Sequence, residues 1–165
     1  MKIISLLFSV ITLVILVGCN RSDTKTVMKA DDSQPMNGEA KILQSWQGDY
    51  PVARFNLLPD KQHELGVGFI GNAETFEAVW NAFKPGEEVP KVDFQANLVV
   101  FARNTQFFNR NRIFKVKVTN GVAEVLAMET MSAMPIEGKV AMSLAVVARR
   151  GISAIQTGKE IIPIE

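Results

Sequence analysis

The chain has 165 residues, one cysteine, one histidine and a formal net charge of +1. A charge so close to neutral leaves no bulk electrostatic case for nucleic acid, and a lone cysteine excludes an internal disulfide framework. A chain of this length is enough for one domain with a packed core and not comfortably for two.

The chain opens Met1-Lys2, then runs apolar from Ile3 to Val17 with only Ser5, Ser9 and Thr12 interrupting, and reaches Gly18-Cys19. One positive charge, a short apolar run and a small residue at the cleavage point predict a secretory signal over residues 1–18. The run is shorter than the ~20 apolar residues of a spanning helix. Leu16-Val17-Gly18-Cys19 matches the bacterial lipobox, whose cysteine thiol is alkylated by diacylglycerol and becomes the new N-terminus. Cys19 is therefore the expected lipidation site. Each buried methylene contributes about 0.8 kcal/mol, so two or three acyl chains hold a protein on a bilayer without any spanning segment. Asn20 rather than Asp after the cysteine points to the outer membrane, facing the periplasm, in a Gram-negative cell. Once acylated, Cys19 leaves the mature chain without thiol chemistry.

Residues 19–40 are then read as the lipidated cysteine and a tether. The stretch is rich in Asp, Ser, Lys and Asn, holds Pro35 and Gly38 and has almost no large apolar residue, so it buries too little surface to offset its ordering entropy. A coil of ~20 residues spans roughly 25 Å.

The globular domain is expected over residues 41–165. Ile42 to Trp46 reads as a strand followed by a turn at Gly48-Asp49, and Ala53, Phe55 and Leu57 alternate with Val52, Arg54 and Asn56 as a second strand would. Leu65, Val67 and Phe69 repeat the alternation, and Gly66, Gly68 and Gly71 beside them suggest a bulge or a close backbone approach. The clearest element is a helix. Asn72 is its expected N-cap, Glu74 and Glu77 lie near the positive end of its dipole, and Lys84 lies at the other end. Phe76, Val79, Trp80 and Phe83 fall at i, i+3, i+4 and i+7 on one stripe, and Pro85-Gly86 ends it.

Ala96 to Ala102 is a near-continuous apolar run, as in a buried central strand. Phe114, Val116 and Val118 alternate with Lys115 and Lys117, Asn120-Gly121 is a strong hairpin signal, and Val122 to Ala127 is the return strand. Val140 to Val147 is a further apolar strand ended by Arg149-Arg150-Gly151, and Lys159 to Ile164 closes the sheet with Pro163 favouring an edge. The sum is an α+β domain, mostly β and mostly antiparallel: a sandwich or partly open barrel with one amphipathic helix against a face.

Three segments are candidates for chemistry. His63 lies in the polar stretch Asp60-Lys61-Gln62-His63-Glu64 and reads as an ordinary turn residue. No G-x-S-x-G nucleophile motif and no phosphate-cradling glycine loop accompanies it, so an enzyme is not expected, nor is a cofactor. Met128, Met131 and Met134 form an M-x-x-M-x-x-M pattern whose thioethers suit Cu(I). Residues three apart on a strand face opposite sides, so the sulfurs converge only if the segment turns; the competing expectation is core packing, a common use of methionine. The stretch Arg103 to Arg112 joins two predicted strands yet carries Phe107 and Phe108 amid Asn, Gln and Arg. Adjacent residues of a strand point to opposite faces, so one Phe is expected at the surface. With Arg110 and Arg112 it forms the aromatic–arginine combination of contact hot spots. Anionic headgroups are a further expected partner for these cations, since the lipid holds the domain beside a membrane.

Asn72 to Trp80, then Val89-Pro90-Lys91-Val92-Asp93-Phe94, then Asn97 to Phe101 together resemble the C-terminal domain of protease-complex-inhibitor (PrcB-like) proteins. In that family a helix ending in Trp precedes a P-x-V-D-F step into a central strand. The resemblance covers about residues 68–119 and implies that Trp80 and Phe94 cap the core while Asp93 bonds backbone amides in the turn. The family continues with a Gly-Gly-Tyr type segment where this chain has Arg103 to Arg112, so the resemblance speaks for the fold rather than for protease inhibition. The expected role is that of a membrane-anchored binding module of the cell envelope, contacting another envelope protein; the alternative is a periplasmic Cu(I)-binding protein.

Overall fold

The computed structural model describes residues 36–104, 108–131, 133, 138–158 and 160–164. In chain order they form β1 (Gly38–Ala40), β2 (Ile42–Pro51), a 3-10 helix (Val52–Leu57), α1 (Asp60–Glu64), β3 (Val67–Ile70), α2 (Ala73–Phe83) and β4 (Asn97–Asn104). They continue with β5 (Phe108–Thr119), β6 (Val122–Met131), β7 (Lys139–Ala148), β8 (Ala154–Thr157) and β9 (Glu160–Pro163).

The helix forms as its sequence dictates. Asn72 Oδ1 accepts a hydrogen bond from the Thr75 N–H at 2.8 Å, satisfying one of the donors that the first turn leaves open. Phe76, Val79, Trp80 and Phe83 are buried, and Gly86 takes the positive φ of 82° that turns the chain away. In the turn that follows, Asp93 Oδ1 accepts from the Gln95 N–H at 3.0 Å and the Asp93 carbonyl from the Asn97 N–H. Phe94 packs its ring 5.8 Å from that of Phe76.

The strands make two sheets. A four-stranded sheet has the order β2-β7-β4-β3, and a five-stranded one the order β1-β5-β6-β8-β9. Every pair is antiparallel except β6 with β8. The sheets are not closed into a barrel, and α2 covers the outer face of the smaller one. The result is three layers: helix, four-stranded sheet, five-stranded sheet.

Two cores lie between these layers, and alternation along β4 and β7 assigns residues to each. Val99 and Phe101 of β4, with Val140, Met142, Leu144 and Val146 of β7, pack under α2 with Trp80 and Phe83. Leu98, Val100 and Ala102, with Ala145 and Val147, pack against Val116, Val118, Ala123 and Ile155 of the larger sheet. A strand buried on both faces reads as an unbroken apolar run rather than an alternating one, which is the pattern of these two segments.

Several local expectations are corrected. Val52–Leu57 is a 3-10 helix, not a strand. Pro51 precedes it and Pro59 follows, and the 3-10 turn takes the segment away from the sheet, leaving Leu57 exposed. Gly48-Asp49 is no turn: β2 runs through it, pairing Gly48 with Met142 and Asp49 with Ala141. The fold begins before residue 41, because Gly38–Ala40 pair with Val116–Val118 and Ala40 is buried. Phe114 was expected to share a face with Val116 and Val118. The register slips between Ile113 and Lys115, and this bulge puts Ile113 and Val116 inside and Phe114 outside, 51% exposed.

The close approach expected near Gly68 is present. A Cβ there would lie 2.8 Å from the Phe101 ring and 3.2 Å from the Leu65 side chain. Phe101 is fully buried among core neighbours, so relieving the clash must displace packed side chains, and Gly68→Ala is expected to destabilise the fold by about 1–3 kcal/mol in urea denaturation. An unchanged midpoint would show that this edge yields freely.

Candidate functional site

The Arg103–Arg112 stretch is mostly strand. Arg103 and Asn104 end β4 in the smaller sheet, and Phe108 opens β5 in the larger one, so these two consecutive strands belong to different sheets. Phe107 lies outside the described residues, and of Phe108 the structure gives the backbone position, paired with Met131. Cys19 and Met134 also lie outside the described residues.

This change of sheets sets β5 against the free edge of β2. Sheet order leaves β2 with a strand on one side alone, and β1 covers β5 only at Val116–Val118. Ser45, Gln47 and Asp49 of β2 stand opposite Ala145, Ser143 and Ala141 of β7, so they face the larger sheet. Between them and Arg110–Ile113 runs a groove. One half, about 340 Å³, is lined by Gln47, Gly48, Asp49, Arg110 and Asn111. The other, about 270 Å³, is lined by Ser45, Trp46, Gln47, Arg112, Ile113, Ser143 and Leu144.

The groove floor is polar and internally satisfied. Ser143 is the one polar residue in the buried run of β7, and its hydroxyl donates to Asn111 Oδ1 at 2.8 Å. It also accepts from the Ile113 N–H at 3.2 Å, so this buried backbone donor is satisfied by a side chain of the other sheet. Asn111 Nδ2 donates to Glu129 Oε1 at 3.1 Å, as does Asn104 Nδ2. Asp49 is paired with Lys139 at 3.0 Å. What remains for a ligand is the Gln47 amide, the open backbone edge of β2 and the guanidinium groups of Arg110 and Arg112. Both arginines are exposed, and among the described residues neither forms an ion pair. Such a set recognises main-chain amides and carboxylates by hydrogen bonding and charge.

Met128 and Met131 depart from the core-packing expectation. Met128 and Met131 are 58% and 68% exposed, so they are not core packing. Three apart on one strand, they project to opposite faces and do not converge with each other. His63 is half-buried in α1 and stacks on Phe55 with ring centroids 4.1 Å apart.

A second polar cluster lies on the helix side of the smaller sheet. Arg103 is buried, its Nε donating to the Gln62 carbonyl at 3.1 Å and its Nη2 to the His63 carbonyl. The guanidinium thus caps the C-terminal end of α1 while lying 4.4 Å from the Phe55 ring centroid. Burial lowers the Arg103 pKa from its usual range, an effect partly offset by Tyr50. Tyr50 is buried and its hydroxyl has no hydrogen-bond partner among the described residues. Burial pushes its pKa up to about 12, with Arg103 acting in the opposite direction.

Sequence reasoning found Arg110 and Arg112 but missed Gln47, Asn111, Glu129 and Ser143. One signal was present for Ser143, a lone hydroxyl in Val140–Val147 that has to find a partner once buried. By fold the protein is a three-layer α/β/β sandwich, and by site one with a polar groove between open sheet edges. No protein family, curated protein or solved structure matches the chain.

Tyr50 is the single tyrosine, so its titration is read without overlap. Folded protein should show a tyrosinate absorbance midpoint near 12. Between pH 10 and 12 the native state keeps a proton that the unfolded state has lost. Stability should therefore fall across that window by about 2 kcal/mol; a midpoint near 10 would place the hydroxyl in water. Separately, Ser143→Ala strands the Ile113 N–H and Asn111 Oδ1. The expected loss is about 1–3 kcal/mol in thermal unfolding, with the largest increase in amide exchange at Ile113.

Proposed function

We propose that this chain is a lipid-anchored, non-catalytic lipoprotein of the bacterial envelope, carrying a PrcB-like domain and binding another envelope protein along the groove between β2 and β5. The anchor reading rests on the leader and lipobox at Cys19. It is compatible with the absence, among the described residues, of any helix long and apolar enough to cross a membrane.

One observation carries the binding reading: two exposed arginines without an ion pair among the described residues flank a polar groove beside an unpaired strand edge. A long open edge is a template for an incoming strand. Arginines at its rim would select carboxylates and fix register. Phe107 and Phe108 precede Arg110 closely in the chain, and the proposed aromatic contact is assigned to the same partner.

Cys19→Ser should move the protein from the membrane to the soluble fraction on cell fractionation; continued sedimentation with membranes would remove the anchor. Gln47→Ala combined with Arg110→Ala, in the anchored chain, should reduce recovery of a cross-linked envelope partner about tenfold or more, since hot-spot residues contribute 2 kcal/mol or above. Equal recovery at an unchanged melting temperature would place the contact elsewhere.

A further inference from the structure

The outward face of the five-stranded sheet has no layer over it among the described residues. An antiparallel sheet with one solvated face normally turns polar residues outward. This one also presents Phe114, Met128 and Ile161, which are 51%, 58% and 57% exposed. The register confirms a shared face: Met128 stands opposite Arg112, and Ile161 stands opposite Gln156, whose other neighbour is the outward Glu124. Phe114 reaches the face only because the β5 bulge re-aims it.

Charge is distributed unevenly over the layers. The outward side of β5 holds Arg110, Arg112, Lys115 and Lys117, against the carboxylates of Glu39 and Glu124. Glu39 bonds Lys115 at 2.8 Å. On the opposite layer, α2 and the segment after it expose Glu74, Glu77, Glu87 and Glu88, with Lys84 bound to Glu87 at 3.5 Å. A cationic sheet face and an acidic helix layer orient the domain in the field of an anionic surface.

The point of chain entry agrees. Met36 and β1 join the five-stranded sheet directly beside β5. The stretch from Cys19 to Met36 reaches roughly 60 Å at most when fully extended. If Cys19 carries acyl chains, this sheet is held within reach of the bilayer at a high effective concentration.

We infer that the outer face of the five-stranded sheet lies on an anionic phospholipid bilayer, with Phe114, Met128 and Ile161 at the headgroup boundary and the β5 cations on lipid phosphates. This orientation goes beyond the groove reading and rests on the anchor only for its local concentration. It turns the α2 layer away from the surface, and the β2–β5 groove opens at the side of the domain.

The test uses the full chain as cells process it, labelled with 13C at the methionine methyls. It is added to phosphatidylcholine vesicles and to vesicles with a third of phosphatidylglycerol, both doped with nitroxide-headgroup lipid. Met128 should broaden strongly in the anionic vesicles, while buried Met142 keeps its linewidth. Phe114→Ser with Ile161→Ser, or Arg112→Glu with Lys117→Glu, should weaken the Met128 effect about tenfold at an unchanged melting temperature. A Met128 signal indifferent to anionic lipid, or equal broadening in both variants, overturns the inference. Mass analysis of the N-terminal peptide reads the anchor separately. An unacylated chain that still broadens at Met128 upholds the face while refuting the anchor, and an acylated chain that does not broaden refutes the face alone.

Discussion

Strands β4 and β7 have no solvent face, and the rest of the molecule follows from that constraint. A strand pair exposed on one side would present Val99, Phe101, Met142 and Leu144 to water, so a helix with an apolar stripe must cover them. The other side presents Leu98, Val100, Ala145 and Val147, so a second sheet must cover those. Each layer outside the four-stranded sheet is there to bury one set of alternate residues. Burial of both sets removes the choice of register, because a slip of one position would exchange the two cores.

The same constraint generates the groove. Ser143 occupies a position in β7 that the strand cannot leave exposed, so its hydroxyl must be bonded. The bonds it finds, to Asn111 and to the Ile113 N–H, pin β5 at the bulge. That pinning decides which β5 residues face in and which face out. Arg110, Arg112 and Phe114 reach the surface as a consequence. A single buried hydroxyl thus connects the core to the surface that we propose for binding.

The two proposed surfaces share Arg110 and Arg112 at their common border. The groove combines these arginines with β2 side chains, while the bilayer contact combines them with Lys115, Lys117 and the apolar residues of β5, β6 and β9. An anchored domain lying on its larger sheet would keep the groove accessible from the side. Such an arrangement restricts where a partner can approach and at what height above the headgroups.

Elements whose residues act locally were readable in the chain. The α2 stripe with its Asn72 cap, the Asn120-Gly121 turn, with φ of 50° and 79°, and the β4 and β7 runs each follow from short-range sterics and hydropathy. The groove was only half readable, since Arg110 and Arg112 were found while their partners on β2 and β7 were not. The alternating Val52–Leu57 misled because alternation signals a strand only when a sheet edge is there to receive it. Pro51 and Pro59 instead bracket a 3-10 turn that takes that segment away from the sheet.

The sequence alone determined the α+β class, the one amphipathic helix, the doubly buried strands and the export and lipidation expectation at Cys19. These rest on hydropathy, capping and covalent motif, all of which are properties of neighbouring residues. Tertiary structure alone decided the split into two sheets, the burial of Arg103, the outward turn of Phe114 and the facing of β2 by β5. Each of these depends on which distant backbone supplies a hydrogen-bond partner, and residues far apart in the chain become partners only once the layers have packed.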